Sequence, residues 1–316
     1  MNNYAEQNQS VQSNALHKHV LATGREKLLG HMAMMLFAVL ISGSFTLGSM
    51  AIPFIEPGAI NTVRFLFACV VMGLLVYFAK GKLVIPKAPW RFILLGALMG
   101  AYFVLMFMAL QTASPVSTAA VFTLIPLMST GFGYFILSQT TRPVVVISLV
   151  IAAIGAVWVI FRGDITALIS FDIGYGESIF FVGCMMHAAY SPLVKRLNRG
   201  ESVMVFTFWT LVASSFWIAL YGMGEVVSTN WSELPVIVWV TVAYLAIFTT
   251  AGTFFLLQFA SLRLPSSKVL AYGYLTPSII IVLEGLIGHG WVGLPVAFGA
   301  MITIIGLIVM NFAPDS

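Results

Sequence analysis

Apolar residues in this chain come in runs of about 20, the length an α-helix needs to cross a bilayer. Short breaks marked by charge, proline or glycine separate them. The runs cover 30–52, 57–79, 90–112, 117–139, 143–162, 173–195, 202–223, 235–258, 265–287 and 293–312, and predict ten transmembrane helices. Residues 1–29 are polar, rich in Asn, Gln and Ser, and have no apolar stretch able to serve as a signal-peptide core. They read as a flexible cytoplasmic tail.

Composition sharpens this to an all-α integral membrane protein. Of 316 residues, 60% are hydrophobic and 8% are charged, against roughly 25% charged in soluble domains. So little charge cannot solvate a surface, whereas lipid requires no such coat. The formal net charge of +4 comes from short clusters between apolar runs, so nucleic acid is not implied as a partner. Cys69 and Cys184 both fall inside apolar runs and read as small core residues.

The basic residues test the topology. An even number of spans puts both ends on one side, and alternate connections should then be basic. Lys18, Arg25 and Lys27 precede the first span; Lys80, Lys82, Lys87 and Arg91 lie between the second and third; Arg142, then Lys195, Arg196 and Arg199, then Arg263 and Lys268 follow at alternate connections. Thirteen of the 15 fall on one face, leaving Arg162 opposite and Arg64 inside a span. The opposite connections carry Glu56, Asp164, Asp172, Glu177, Glu225 and Glu233. Both termini are expected in the cytoplasm, with the chain in a bacterial-type cytoplasmic (inner) membrane.

At a shift of 151 positions, 109–131 aligns with 260–282 without a gap, Pro126 matches Pro277, and Ile154-Gly155 matches Ile305-Gly306. This divides the chain into two five-helix repeats, 30–162 and 173–312. Five is odd, so the second repeat enters the membrane from the other side and the repeats are inverted. Duplication alone yields the same pattern; inverted repeats with midplane breaks also suit alternating access.

At these residues the sequence resembles the EamA family of the drug/metabolite transporter superfamily. The likeness rests on Ser42-Gly43-Ser44-Phe45, on Asn61-Thr62-Val63-Arg64-Phe65, on the Ala-rich entry and mid-helix proline from Ser117 to Pro126, on the same proline pattern from Ser266 to Pro277, and on the Gly155 and Gly306 helices. It covers about residues 30 to 312. The resemblance implies two five-helix repeats with cytoplasmic termini and secondary transport, often export of amino acids or other small metabolites, through a central cavity. One departure is visible: many members end the fourth and ninth helices with Gly-Glu, where this chain has Ser138-Gln139 and His289-Gly290. No role of those glutamates carries over.

An ionisable side chain in hydrocarbon costs about 2.5–3.5 kcal/mol at a helix centre on insertion scales. Only Arg64, His187 and Glu284 lie well inside the spans, so each calls for a partner or a task. Glu284 shares a helical stripe with Tyr274, Pro277 and Ile281; it is either a proton carrier or a permanent partner of Arg64. His187 precedes Ala189-Tyr190-Ser191-Pro192 and is either a substrate contact, a proton acceptor or a satisfied interior side chain. Pro126 and Pro277 are candidate hinges or cavity walls. Ser42, Ser44, Tyr102, Thr123, Tyr190, Tyr272 and Tyr274 are candidates to line a cavity, with interhelical packing as the alternative. Gly96-x-x-x-Gly100 and Ala152-x-x-x-Ala156 speak for close helix packing.

No phosphate-binding loop, zinc spacing or Gly-x-Ser-x-Gly elbow occurs in the sequence, so neither cofactor nor metal is expected. The expected partners are a small-molecule substrate, protons and the lipid bilayer. The function this suggests is a secondary exporter of amino acids or related amphipathic compounds. Uptake, or a membrane-embedded enzyme or receptor using the same bundle, remains the alternative.

Overall fold

The computed structural model describes residues 24–81, 85–86, 88–138, 142–261, 263–264, 269 and 271–312. Residues 1–23 of the expected tail, with Lys82, Lys87, Gln139, Ser266 and Lys268, lie outside the described residues. The described residues are helical and contain no strand. Helix α1 spans Gly24–Ala51, α2 Pro57–Lys80, α3 Trp90–Ala109, α4 Pro115–Phe122, α5 Ile125–Leu137 and α6 Pro143–Ile160. A short α7 (Ile165–Ser170) leads to α8 (Tyr175–Leu197), α9 (Val203–Ser228) and α10 (Val236–Tyr244). A π-helical segment, Leu245–Gly252, joins α10 to α11 (Thr253–Ser261); a 3₁₀ turn at Tyr272–Leu275 opens α12 (Thr276–Ile287), and α13 is Leu294–Phe312. Helix α1 starts at Gly24, so 24–29 extend the first helix instead of belonging to the tail.

Seven helical stretches among the described residues are long and apolar enough to cross a membrane. They correspond to the predicted spans one to five, seven and eight. Helix α8 occupies the sixth position but carries Glu177, His187 and Arg196; Tyr272–Ile287 and Leu294–Val309 are shorter apolar helices at the ninth and tenth. The chain is a multi-pass, all-helical membrane protein.

Local chemistry sets the breaks. Pro57, Pro115 and Pro143 stand in the first turns of α2, α4 and α6, where the missing N–H is no loss. Ser114 Oγ accepts from the Ser117 N–H at 3.1 Å at the start of α4. The fourth span is interrupted between Phe122 and Ile125, and the ninth changes from 3₁₀ to α-helix at Thr276, so Pro126 and Pro277 each sit in the first turn of an α-helical segment. Both prolines are buried.

Helix α9 packs between α2 and α3, α8 lies against α3, α4 and α5, α1 against α10, α11 and α12, and α6 against α13. Inside a bilayer, shape and small residues drive such contacts because lipid is as apolar as leucine. A Cβ on Gly96 would sit 2.6 Å from the Ala213 backbone, and one on Gly155 2.6 Å from the Gly299 carbonyl oxygen. These glycines set the separations of α3 from α9 and α6 from α13. Cys69 and Cys184 are free thiols, the first 3.0 Å from Ser215 Oγ.

At the end of the bundle carrying the basic connections, Arg91 is fully buried. Its Nε donates to the Ala88 carbonyl at 3.2 Å, Nη1 to the Leu197 carbonyl, and Nη2 to Glu201 Oε1 at 2.5 Å. The Arg199 N–H adds a 2.8 Å bond to Glu201 Oε2. Elsewhere among the basic connections, Arg263 pairs with Glu26 at 2.9 Å and Arg196 donates to the Ile136 carbonyl at 2.9 Å. Hydrogen bonding from Arg91 holds the Glu201 carboxyl down to about 2, from an ordinary value of 4.5.

Two outcomes follow. Gly96→Leu should destabilise the protein by about 1–3 kcal/mol through overpacking, whereas Gly131→Ala, facing open space, should leave the thermal midpoint level or raise it; thermal unfolding of the purified protein checks both. Glu201→Ala should cost about 1.5–3 kcal/mol at neutral pH, the worth of a charge-assisted bond. Because the folded pKa is depressed, that contribution is present above about 4.5 and fades as pH falls toward about 2. The wild-type and variant midpoints should therefore converge in acid.

Candidate functional site

The centre of the bundle is a continuous cluster of rings. Phe45 of α1 meets Phe122 of α4 at 5.9 Å and Phe180 of α8 at 6.2 Å, both edge-to-face. Tyr102 of α3 lies 5.7 Å from Phe180 and 4.8 Å from His187, and Phe122 is 6.3 Å from the same imidazole. Tyr102 touches its neighbour Phe103 at 4.7 Å, and Phe103 faces Phe65 of α2 at 5.0 Å. Five elements, α1, α2, α3, α4 and α8, thus supply one apolar wall.

Two ionisable side chains lie against it, Arg64 sealed and His187 partly exposed. Arg64 is 1% exposed, its guanidinium carbon 4.4 Å from the centroid of Phe103, 5.0 Å from Phe65 and 5.1 Å from Phe107. Its Nε and Nη2 are buried with no hydrogen-bond partner, and His187 Nδ1 is in the same condition. One helical turn before Arg64, Asn61 donates from Nδ2 to the Pro57 carbonyl at 2.7 Å and the Phe103 carbonyl at 3.4 Å. That fixes the amide orientation and leaves Oδ1 buried without a partner.

Glu284 is elsewhere. Its Oε2 lies 2.8 Å from His289 Nδ1, while Oε1 is buried and unpartnered. Gly288 adopts φ +92°, a left-handed conformation that favours glycine, and turns the chain back so that the His289 N–H reaches the Glu284 carbonyl at 3.0 Å. His289, with Ser49, Met50, Phe54 and Ile237, lines an open cavity of about 410 Å³ where α1 ends and α10 begins. The alternative of an Arg64–Glu284 bridge is therefore corrected: among the described residues Glu284 is paired with His289, and Arg64 is ringed by phenylalanines.

Of the sequence candidates, the fold brings Arg64, Tyr102 and His187 together, with Tyr190 at the edge, 6.3 Å from His187. The hydroxyls of Ser42, Ser44 and Thr123 are turned back onto the carbonyls of Ala38, Ile41 and Ala120. Tyr272 instead bonds His31 Nδ1 at 2.7 Å, and Tyr274 packs with Val145, Leu149 and Leu307 near α6 and α13. These two tyrosines do not join the ring cluster. Sequence reasoning did not single out Phe103, Phe107, Phe122 and Phe180, and quoted Phe45 and Phe65 only as parts of motifs and not as wall residues. It also missed His289 and the π-helical segment, where the Thr249 and Thr250 hydroxyls both donate to the Leu245 carbonyl.

The sequence model of the EamA-like transporter family matches residues 28–161 and again 174–312. The chain belongs to this family. EamA proteins fall within the drug/metabolite transporter superfamily, so this EamA protein is a transporter of small molecules. It is 23% identical over 278 residues to the uncharacterized transporter YyaM of Bacillus subtilis (strain 168), covering 87% of this chain and 91% of that one. A solved crystal structure matches with a TM-score of 0.65 at 17% identity, over 92% of this chain and 98% of its own, a likeness of fold.

The carboxylate–imidazole contact carries its own expected outcome. His289→Ala leaves the buried Glu284 without its partner and should cost about 1–3 kcal/mol. In the Glu284→Gln background the same change should cost less, giving a coupling of about 0.5–3 kcal/mol in a double-mutant cycle read by chemical or thermal unfolding.

Proposed function

We propose that this EamA protein is a secondary carrier that moves an amino acid or a related amphipathic metabolite out of the cell by alternating access, coupled to protons. The observation that carries the reading is the pair of polar centres: Arg64 sealed among rings with His187 partly buried beside them, both with unpartnered buried nitrogens, and the Glu284–His289 pair at an open cavity. In hydrocarbon such groups are maintained at a cost and mark solute or proton paths.

The two-repeat architecture is supported by the double match of the family and by the packing. If 30–162 and 173–312 are exchanged, the α3–α8 contact maps onto α11–α1, α9–α3 onto the π segment against α2, and α5–α8 onto α12–α1, while α2–α9 and α6–α13 map onto themselves. In this reading ten helices cross the cytoplasmic membrane. The end holding Arg91, Arg196 and Arg263 faces the cytoplasm, by the bias of basic residues, and the His289 cavity faces outward. Breaks before Pro126 and Pro277 supply the flexible points at which the halves rock. Glu284 passes its proton through His289 to the outer solution, and Arg64, Tyr102 and His187 hold the solute.

Metabolite profiling of medium around cells overproducing wild-type protein, compared with Glu284→Gln at equal abundance, tests the reading. One solute class should be enriched outside by wild type, and counterflow of that solute in proteoliposomes should be saturable. Glu284→Gln should flatten its pH dependence. Binding without flux would move the protein to the receptor or enzyme class, and an unchanged pH profile in a folded Glu284→Gln variant would remove the proton role.

A further inference from the structure

The strongest feature the transport reading leaves open is a cation with no counter-charge among the described residues. A guanidinium offers five N–H donors in a planar fork. At Arg64 the rings of Phe65, Phe103 and Phe107 present faces that attract the positive charge, yet they supply no lone pair to the in-plane Nε–H and Nη2–H. Both of those nitrogens are buried and unpartnered. Removing a charge from water without pairing it costs several kcal/mol or more, so the fold keeps Arg64 here at the expense of its own stability.

We propose that Arg64 is the anchor for the carboxylate of the transported solute. Nε and Nη2 lie on one edge of the fork, the edge that matches two carboxylate oxygens in a bidentate contact. The class of anion follows from charge and wall. One positive charge enclosed by Phe65, Phe103 and Phe107 balances a monoanion; a phosphate dianion would need a second cation at the site. The free Asn61 Oδ1, one turn away, accepts a hydrogen bond from a donor on the same solute, such as an amine or hydroxyl next to the carboxylate. The ring cluster from Tyr102 to Phe45 takes the apolar remainder. This inference rests on the transport reading for the direction of motion, but its binding chemistry stands on Arg64 alone.

The test uses the purified full chain in nanodiscs, with butyrate, hexanoate and benzoate as probes against their neutral amides and inorganic phosphate. The carboxylates should raise the thermal midpoint and the amides should not, because a neutral amide lacks the charge the fork requires. Arg64→Gln should weaken carboxylate binding about ten- to hundredfold. Arg64→Lys, keeping the charge without the fork, should retain part of it. Arg64→Met should raise the midpoint of the ligand-free protein, since an uncompensated charge is replaced by packing; a structural arginine would give the reverse.

Equal protection by carboxylates and amides, protection that survives Arg64→Gln, stronger protection by phosphate, no protection by any carboxylate, or a lower ligand-free midpoint in Arg64→Met would each overturn the proposal. Flux separates it from the transport reading. Carboxylate protection through Arg64 without counterflow leaves the anchor standing and removes transport, whereas counterflow that Arg64→Gln leaves intact removes the anchor and keeps transport.

Discussion

A bilayer core holds no water to satisfy a polar group, and this constraint organises the whole chain. Helices satisfy their backbones internally except at their ends, where side chains such as Glu225 and Ser114 take the first N–H groups. Where a helix is interrupted, as before Pro126 and Pro277, the freed groups lie inside the bundle, not against lipid. The hydroxyls of Ser42, Ser44 and Thr123 each donate to a carbonyl of their own helix, while those of Thr46, Tyr274 and Thr276 are buried without a partner. Trp158 and Trp217 each send the indole N–H to a backbone carbonyl of a neighbouring helix, Pro295 and Ile93, at 2.9 Å.

Against that background the exceptions carry meaning. The buried side-chain atoms without partners include Arg64, His187, Asn61 and Glu284, the types whose unmet demand costs most. Three of these residues lie on α2 and α8, around rings from α1, α3 and α4, and the fourth closes α12 beside an open cavity. The structure is closed around the first group and open near the second. The largest contacts between the halves of the chain include α2 with α9 and α6 with α13.

The two ends of the bundle differ in chemistry. At one, Arg91 ties α3 to the α8–α9 connection through Leu197 and Glu201, and Arg263 ties α11 to α1 through Glu26. At the other, Glu225 Oε2 accepts from the N–H groups of Gly58 and Ala59 at 2.6 and 3.0 Å, a carboxylate on the positive end of α2 supplied by α9. Both sets cross between the halves of the chain.

What the sequence determined by itself was whatever depends on local length and polarity. The apolar runs, the one-sided basic connections, the halves at a shift of 151, and the three ionisable residues inside them are one-dimensional facts, because lipid thickness and the cost of charge act on each segment separately. Arg64 and His187 were legible for that reason. Tertiary structure decided the partners. Glu284 was within reach of Arg64 by depth alone, but the left-handed turn at Gly288 brings His289 onto it. The phenylalanines around Arg64 were indistinguishable in sequence from the rest of 25, since a ring facing lipid and a ring facing a cation share the same hydrophobic pattern. Tyr272 and Tyr274 had the right depth and the wrong azimuth, and only the packing of the helices fixes azimuth.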